Sequence, residues 1–264
     1  MEYRSSMEVM RKKSMVLKLS KLARLIAARE YLLGPREVEM RFEYMSKIGQ
    51  YELGALRLSC DAERLRRKYE LAQEALRQGD LLDEEAIEEQ LNEEFAVKDE
   101  LVEEMASNLM LMVGYQQMPH PSREETSEML EILQELAKKC YPGLYPNDGE
   151  KQAQWEEITE LFRMSDIEAL LQKEQDAEVW EGFSEMKDEL DEEKLEHLQM
   201  VVQEEVDAIL QRFPYNLKEL LEDEEQLAGR RRELEETAEQ AEAEIRSLYR
   251  ELGMILEPMS THLN

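Results

Sequence analysis

Apolar residues recur every three or four positions along most of this 264-residue chain. Such a period places apolar side chains on one face of an α-helix. The first stretch with this pattern runs through Met15, Leu19, Leu22 and Ile26. The pattern predicts helices at 6–33, 36–78, 83–117, 123–139, 155–162, 166–171 and 185–212, and one more towards the C-terminal end. We therefore expect an all-α fold.

Turn and capping residues separate these helices. Gly34-Pro35 and Gly79-Asp80 follow the first two predicted helices, and Asp83 stands where the third needs an N-cap. The Pro-rich segment 118–121 is a further break, and Ser122 with Glu125 forms a capping box for the next helix. The long helices on either side of Gly79 should pack as an antiparallel hairpin, because the turn between them is short.

The last third of the chain carries the most regular repeat. Apolar residues fall at every seventh position, at Leu220, Leu227, Leu234, Ala241, Leu248 and Ile255. This heptad spacing is typical of a coiled-coil seam. The apolar stripe of helix 185–212 is the expected partner, in a second antiparallel hairpin. The final helix is longer than that partner, so its remainder should pack elsewhere in the molecule or on another copy in a homo-oligomer.

The breaks divide the chain into three predicted domains, which are an N-terminal helical hairpin region with a basic first helix at 1–118, a small helical module at 122–172 and a C-terminal coiled-coil hairpin at 173–264. Together they predict an elongated molecule. The net charge of −29 is unevenly distributed, because residues 1–80 carry +5 and the remainder −34. The basic first helix could bind a membrane surface or an acidic partner, or pack on the acidic part of its own chain.

Several classes of function are disfavoured by composition and motifs. A strongly acidic protein is a poor general binder of nucleic acid, which requires a surplus of Lys and Arg. Nucleotide-binding and acyl-transfer motifs are absent, the three histidines are scattered, and Cys60 and Cys140 are too far apart for a CxxC pair. We expect no enzyme, metal site or cofactor. The sequence also has no transmembrane segment and no apolar core for a signal peptide, which predicts a cytoplasmic protein.

The loop Tyr141-Pro142-Gly143 and its two flanking helices resemble a J-domain, the helical module of DnaJ-type co-chaperones. The run YPGLYPND stands where a group of bacterial J-domain-like proteins continues from the family's His-Pro-Asp loop, and it retains Pro142, Leu144, Pro146 and Asn147. The segments 155–171, 65–71 and 213–221 are similar to helices found in and beside such domains. The resemblance implies an all-α J-like module at 122–172, flanked by long helices.

This loop departs from the family at the positions that carry its function. In a working J-domain the histidine and aspartate dock on a DnaK-type ATPase, helped by a basic second helix. Tyr141 and Gly143 replace them here, and neither can reproduce the charge and hydrogen bonds of the originals. Lys138 and Lys139 remain as candidate partner-binding residues on an otherwise acidic helix.

The resemblance therefore implies a non-enzymatic protein-interaction adaptor that has lost stimulation of a DnaK-type ATPase. Two alternatives stay open. One is an active or atypical co-chaperone that binds a client or a chaperone through its helices. The other is a helical scaffold whose likeness to a J-domain is accidental.

Overall fold

The protein is all-α, as the sequence predicts. A computed structural model describes residues 2–79, 82–118, 120–178 and 192–260, and these ranges contain no strand. The helices are α1 (Glu2–Leu33), α2 (Pro35–Tyr44), α3 (Gln50–Gln78), α4 (Glu84–Gln116), α5 (Arg123–Cys140), α6 (Gly149–Arg163), α7 (Ile167–Glu178), α8 (Glu192–Leu210), α9 (Lys218–Glu222) and α10 (Glu224–Ser260). None of these described helices holds an apolar stretch long enough to cross a membrane.

The predicted helix ends are largely confirmed. Asp83 accepts a hydrogen bond from the backbone N–H of Ala86 at 3.0 Å, and Ser122 forms both bonds of its capping box with Glu125. Gly79 ends α3 in the left-handed conformation, with φ 78°, which glycine adopts without steric cost. The predicted helix 36–78 keeps helical backbone throughout, but a π-helical turn at Met45–Gly49 interrupts its α-helical hydrogen bonding between α2 and α3.

Two compact units divide the chain. The first comprises Met1–Arg41 and Pro119–Leu217, and the second comprises Phe42–Met118 and Lys218–Asn264. This division differs from the three consecutive segments predicted from the sequence. The reason is that the apolar face of α1 is covered by α5 and α8, which lie more than 80 residues further along the chain.

In the first unit, helices α1, α5, α6, α7 and α8 surround one apolar core. Leu22 and Ile26 of α1 meet Leu133 and Leu136 of α5, and all four side chains are fully buried. The basic α1 also lies against the acidic α8, where Lys18 Nζ approaches Glu192 at 2.5 Å and Glu196 at 2.7 Å. Of the three alternatives for the basic helix, packing on its own chain is the one that these contacts support.

In the second unit, α3 lies between α4 and α10. Ion pairs from Lys68 to Glu88 and from Arg67 to Glu94 join α3 to an antiparallel α4, as predicted for the hairpin. The heptad seam of α10 is buried at Leu227, Leu234, Ala241 and Leu248. Its partner is α3, which runs parallel to it, and not α8. The seam expected to form a hairpin or an oligomer is therefore covered within the chain.

Candidate functional site

The J-like loop connects α5 to α6 through a series of tight turns. The N–H of Leu144 donates to the carbonyl of Tyr141 at 2.9 Å, and the N–H of Tyr145 donates to the carbonyl of Pro142 at 3.1 Å. Asp148 then caps α6 by accepting from the N–H of Lys151 at 3.1 Å. Because backbone bonds satisfy the loop locally, its conformation is fixed.

Tyr141, which the resemblance predicts at the position of the family histidine, is built into the core of the first unit. Only 9% of its surface is exposed. Its ring packs edge-on against Trp155, with the ring centroids 5.6 Å apart. The Arg29 guanidinium lies 5.5 Å from the ring centroid and donates to the Tyr141 hydroxyl at 3.4 Å. These contacts direct the side chain inward, where it stabilises the packing of α1 on the loop.

Gly143, which the resemblance predicts at the position of the family aspartate, has no room for a side chain. A Cβ there would lie 2.6 Å from Cε1 of Tyr141 and 3.0 Å from Cδ2 of Leu198 on α8. The first distance is far shorter than a carbon–carbon contact, which is about 3.5–4.0 Å at its optimum. Glycine is thus required here for the close approach of the loop to Tyr141 and α8. The sequence predicted only that this residue makes a turn.

We expect Gly143→Ala to destabilise the first unit by about 1–3 kcal/mol, the usual cost of overpacking a well-packed site. Local unfolding free energies from native-state hydrogen exchange in peptides of α5 and α6 measure this effect. Gly149→Ala is the matched control, because nothing lies within 4 Å of the Cβ that it adds at the other end of the same loop. Equal effects of the two substitutions would contradict the packing described for Gly143.

A group of buried charges lies beside the loop. Glu30 is 4% exposed, and its Oε1 accepts from both Nε and Nη2 of Arg29, at 3.0 and 2.6 Å. Arg29 Nη1 also reaches Glu205 at 2.6 Å, and Arg163 lies 3.6 Å from the second oxygen of Glu30. Burial alone would lower the pKa of Arg29, but the carboxylates of Glu30 and Glu205 outweigh it and raise the pKa. These residues were not predicted from the sequence.

The two predicted partner-binding lysines lie in the last turn of α5. Both are half-buried. Lys138 Nζ pairs with Glu135 at 2.5 Å, and the Lys138 carbonyl accepts from the Tyr145 hydroxyl at 3.0 Å. The structure brings Lys138, Lys139, Tyr141, Pro142 and Gly143 together at one end of α5. Lys138 is engaged there by a neighbouring carboxylate.

The thiol of Cys140, beside these lysines, is a poor nucleophile. It is fully buried and donates to the carbonyl of Leu136 at 3.2 Å. Burial raises its pKa to about 12, despite the opposing charges of Lys151 and Lys139, so the thiol stays protonated at neutral pH. Within the described ranges, no three His, Cys, Asp or Glu side chains are grouped so that they could hold a metal ion.

Comparison of the chain with family models, curated proteins and solved structures finds no match. The likeness to J-domains thus rests on the loop and helix residues quoted above, and it stays a prediction. What the geometry establishes is that Tyr141 is buried and that Gly143 has no space for a side chain.

Proposed function

We propose that this chain is a non-enzymatic protein-interaction adaptor, related to J-domain co-chaperones, that no longer stimulates a DnaK-type ATPase. The observation that carries the proposal is the packing of Tyr141 and Gly143. A docking triplet must present an imidazole and a carboxylate to its partner. Here Tyr141 faces Trp155 and Arg29, and a side chain at position 143 would collide with the Tyr141 ring.

The charge of α5 supports the same proposal. Its exposed face carries Glu124, Glu128, Glu131 and Glu135. Three of these line a groove of about 450 Å³ with Glu174 of α7. A partner surface shaped to receive a basic helix would meet like charge here, which disfavours association. The corresponding helix of a working J-domain is basic, so this face is unsuited to that contact.

The proposed adaptor acts in the cytoplasm and binds proteins, not nucleic acid. A net charge of −29 repels a phosphate backbone. The long helices provide the surface for a client or another protein. Association of copies through the C-terminal heptads is left out of the proposal, because α3 of the same chain covers that seam.

A single-turnover ATPase assay with a DnaK-type chaperone tests the loss of stimulation. We expect the ATP hydrolysis rate to be the same with and without this chain, while an authentic J-domain protein in the same assay raises it. Pro142→Ala is the informative variant, because Pro142 is the retained member of the triplet. Stimulation by the unmodified chain that Pro142→Ala abolishes would overturn the proposal.

A further inference from the structure

The outward face of α4 exposes an unusual amount of apolar surface. Met110 is 76% exposed and Leu111 66%. Other large apolar side chains of the same helix are also at least half exposed, namely Val97, Leu101 and Val113, and so is Met118 just beyond its end. Single exposed apolar residues are ordinary, but residues such as Met110, Leu111 and Met118, which line one groove, are typical of an interaction surface.

The C-terminal half of α4 shapes part of this surface into a shallow groove of about 780 Å³. It is lined by Met110, Leu111, Tyr115 and Met118, with Gly114 between them. Methionine side chains are flexible and polarisable, so they adapt to apolar partners of different shape. A groove of this kind suits the apolar face of a helix.

Charge is distributed along α4 in two blocks. Residues 84–104 hold ten acidic side chains and one basic one, whereas residues 105–118 hold no charge. Glu93, Glu100, Glu104 and Leu111 are spaced by seven or four positions, which places them on one face of α4. All four are exposed. The outward face is therefore acidic in its first part and apolar in its second.

We propose that the outward face of α4 binds a helix of a partner protein. One end of that helix places an apolar stripe on Met110 and Leu111, and its other end places Lys or Arg residues along Glu93, Glu100 and Glu104. This inference rests on the proposed adaptor function and names its binding surface. A basic partner is favoured over a second copy, because two chains with a net charge of −29 repel each other.

Fluorescence anisotropy with a labelled Leu/Lys model peptide tests the proposal on the full chain. One half of the peptide carries leucines at helical i, i+3, i+4, i+7 spacing and the other half carries lysines, whereas a scrambled peptide of the same composition has neither block. We expect the two-block peptide to bind more tightly than the scrambled one. Met110→Gln/Leu111→Gln should weaken its binding roughly tenfold, which corresponds to about 1.4 kcal/mol.

Matched variants separate this surface from general attraction to an acidic protein. Val16→Gln/Leu17→Gln removes an adjacent pair of equally exposed apolar residues on α1, and it should leave the affinity unchanged. Glu100→Gln/Glu104→Gln should weaken binding and reduce its salt dependence more than Glu235→Gln/Glu236→Gln on α10, which makes the same change in net charge.

Three results would overturn the proposal. The first is equal affinity for the two peptides, and the second is no effect of Met110→Gln/Leu111→Gln. The third is a dimer in sedimentation equilibrium that this double variant dissociates, because the face would then be occupied by a second copy. The assay contains no ATPase, so its failure is independent of the ATPase test for the adaptor function.

Discussion

Phe162→Ala should remove about 3–5 kcal/mol from the stability of the first unit, the range found for truncating a buried phenylalanine. Phe162 lies on α6 and is 1% exposed within the core formed with α1 and α5. Its loss combines the transfer free energy of a phenyl ring with the cavity left behind, because the surrounding helices can close it only in part. Native-state hydrogen exchange in peptides of α5 and α6 is the measurement, since the chain has two compact units and a single unfolding transition is not assured.

Met164→Ala is the control for this prediction. Met164 is only two positions after Phe162, at the C-cap of α6, but is 67% exposed, so its truncation should change the unfolding free energy by less than about 0.5 kcal/mol. Comparable losses for both variants would show that the side chain of Phe162 does not occupy a packed core.

Local rules were sufficient to predict most helices of this protein. Periodicity located the helical segments, and Asp83 and Ser122 cap helices where their side-chain chemistry predicts it. Local sequence does not determine which two apolar stripes pack against each other. The seam of α10 was visible in the heptads, but a stripe does not specify which other stripe covers it. The sequence predicts the nearest stripe, on helix 185–212, as the partner of α10. The structure instead pairs Arg230 of α10 with Glu52 of α3, 178 positions away.

Local sequence is also insufficient to predict the contacts of the candidate site. The loop and its flanking helices were predicted from about ten residues, but Arg29 and Tyr141 are 112 positions apart, and nothing local relates them. One signal could have identified part of the charged group. Glu30 follows Leu22 and Ile26 at steps of four, so it continues the apolar stripe of α1 onto a position that faces inward. A glutamate at such a position requires a buried cation.

Glu30→Ala should cost the first unit about 3 kcal/mol, near the lower end of the range for breaking a buried ion pair. The substitution leaves Arg29, with 14% of its side chain exposed, without the carboxylate that accepts two of its hydrogen bonds. Arg163 loses the same partner. The loss stays near the lower end because Arg29 keeps Glu205 and the Tyr141 hydroxyl. Hydrogen exchange in peptides of α1 and α6 measures the change in unfolding free energy.

Glu205→Ala is the control for the Glu30→Ala prediction. It removes the other carboxylate from the same guanidinium, but 46% of the Glu205 side chain is exposed, and exposed pairs contribute about 0–1 kcal/mol. Glu30→Gln keeps the shape of the side chain and removes its charge, so it should fall between the two. A Glu30→Ala variant no less stable than Glu205→Ala would mean that burial does not determine the strength of this ion pair.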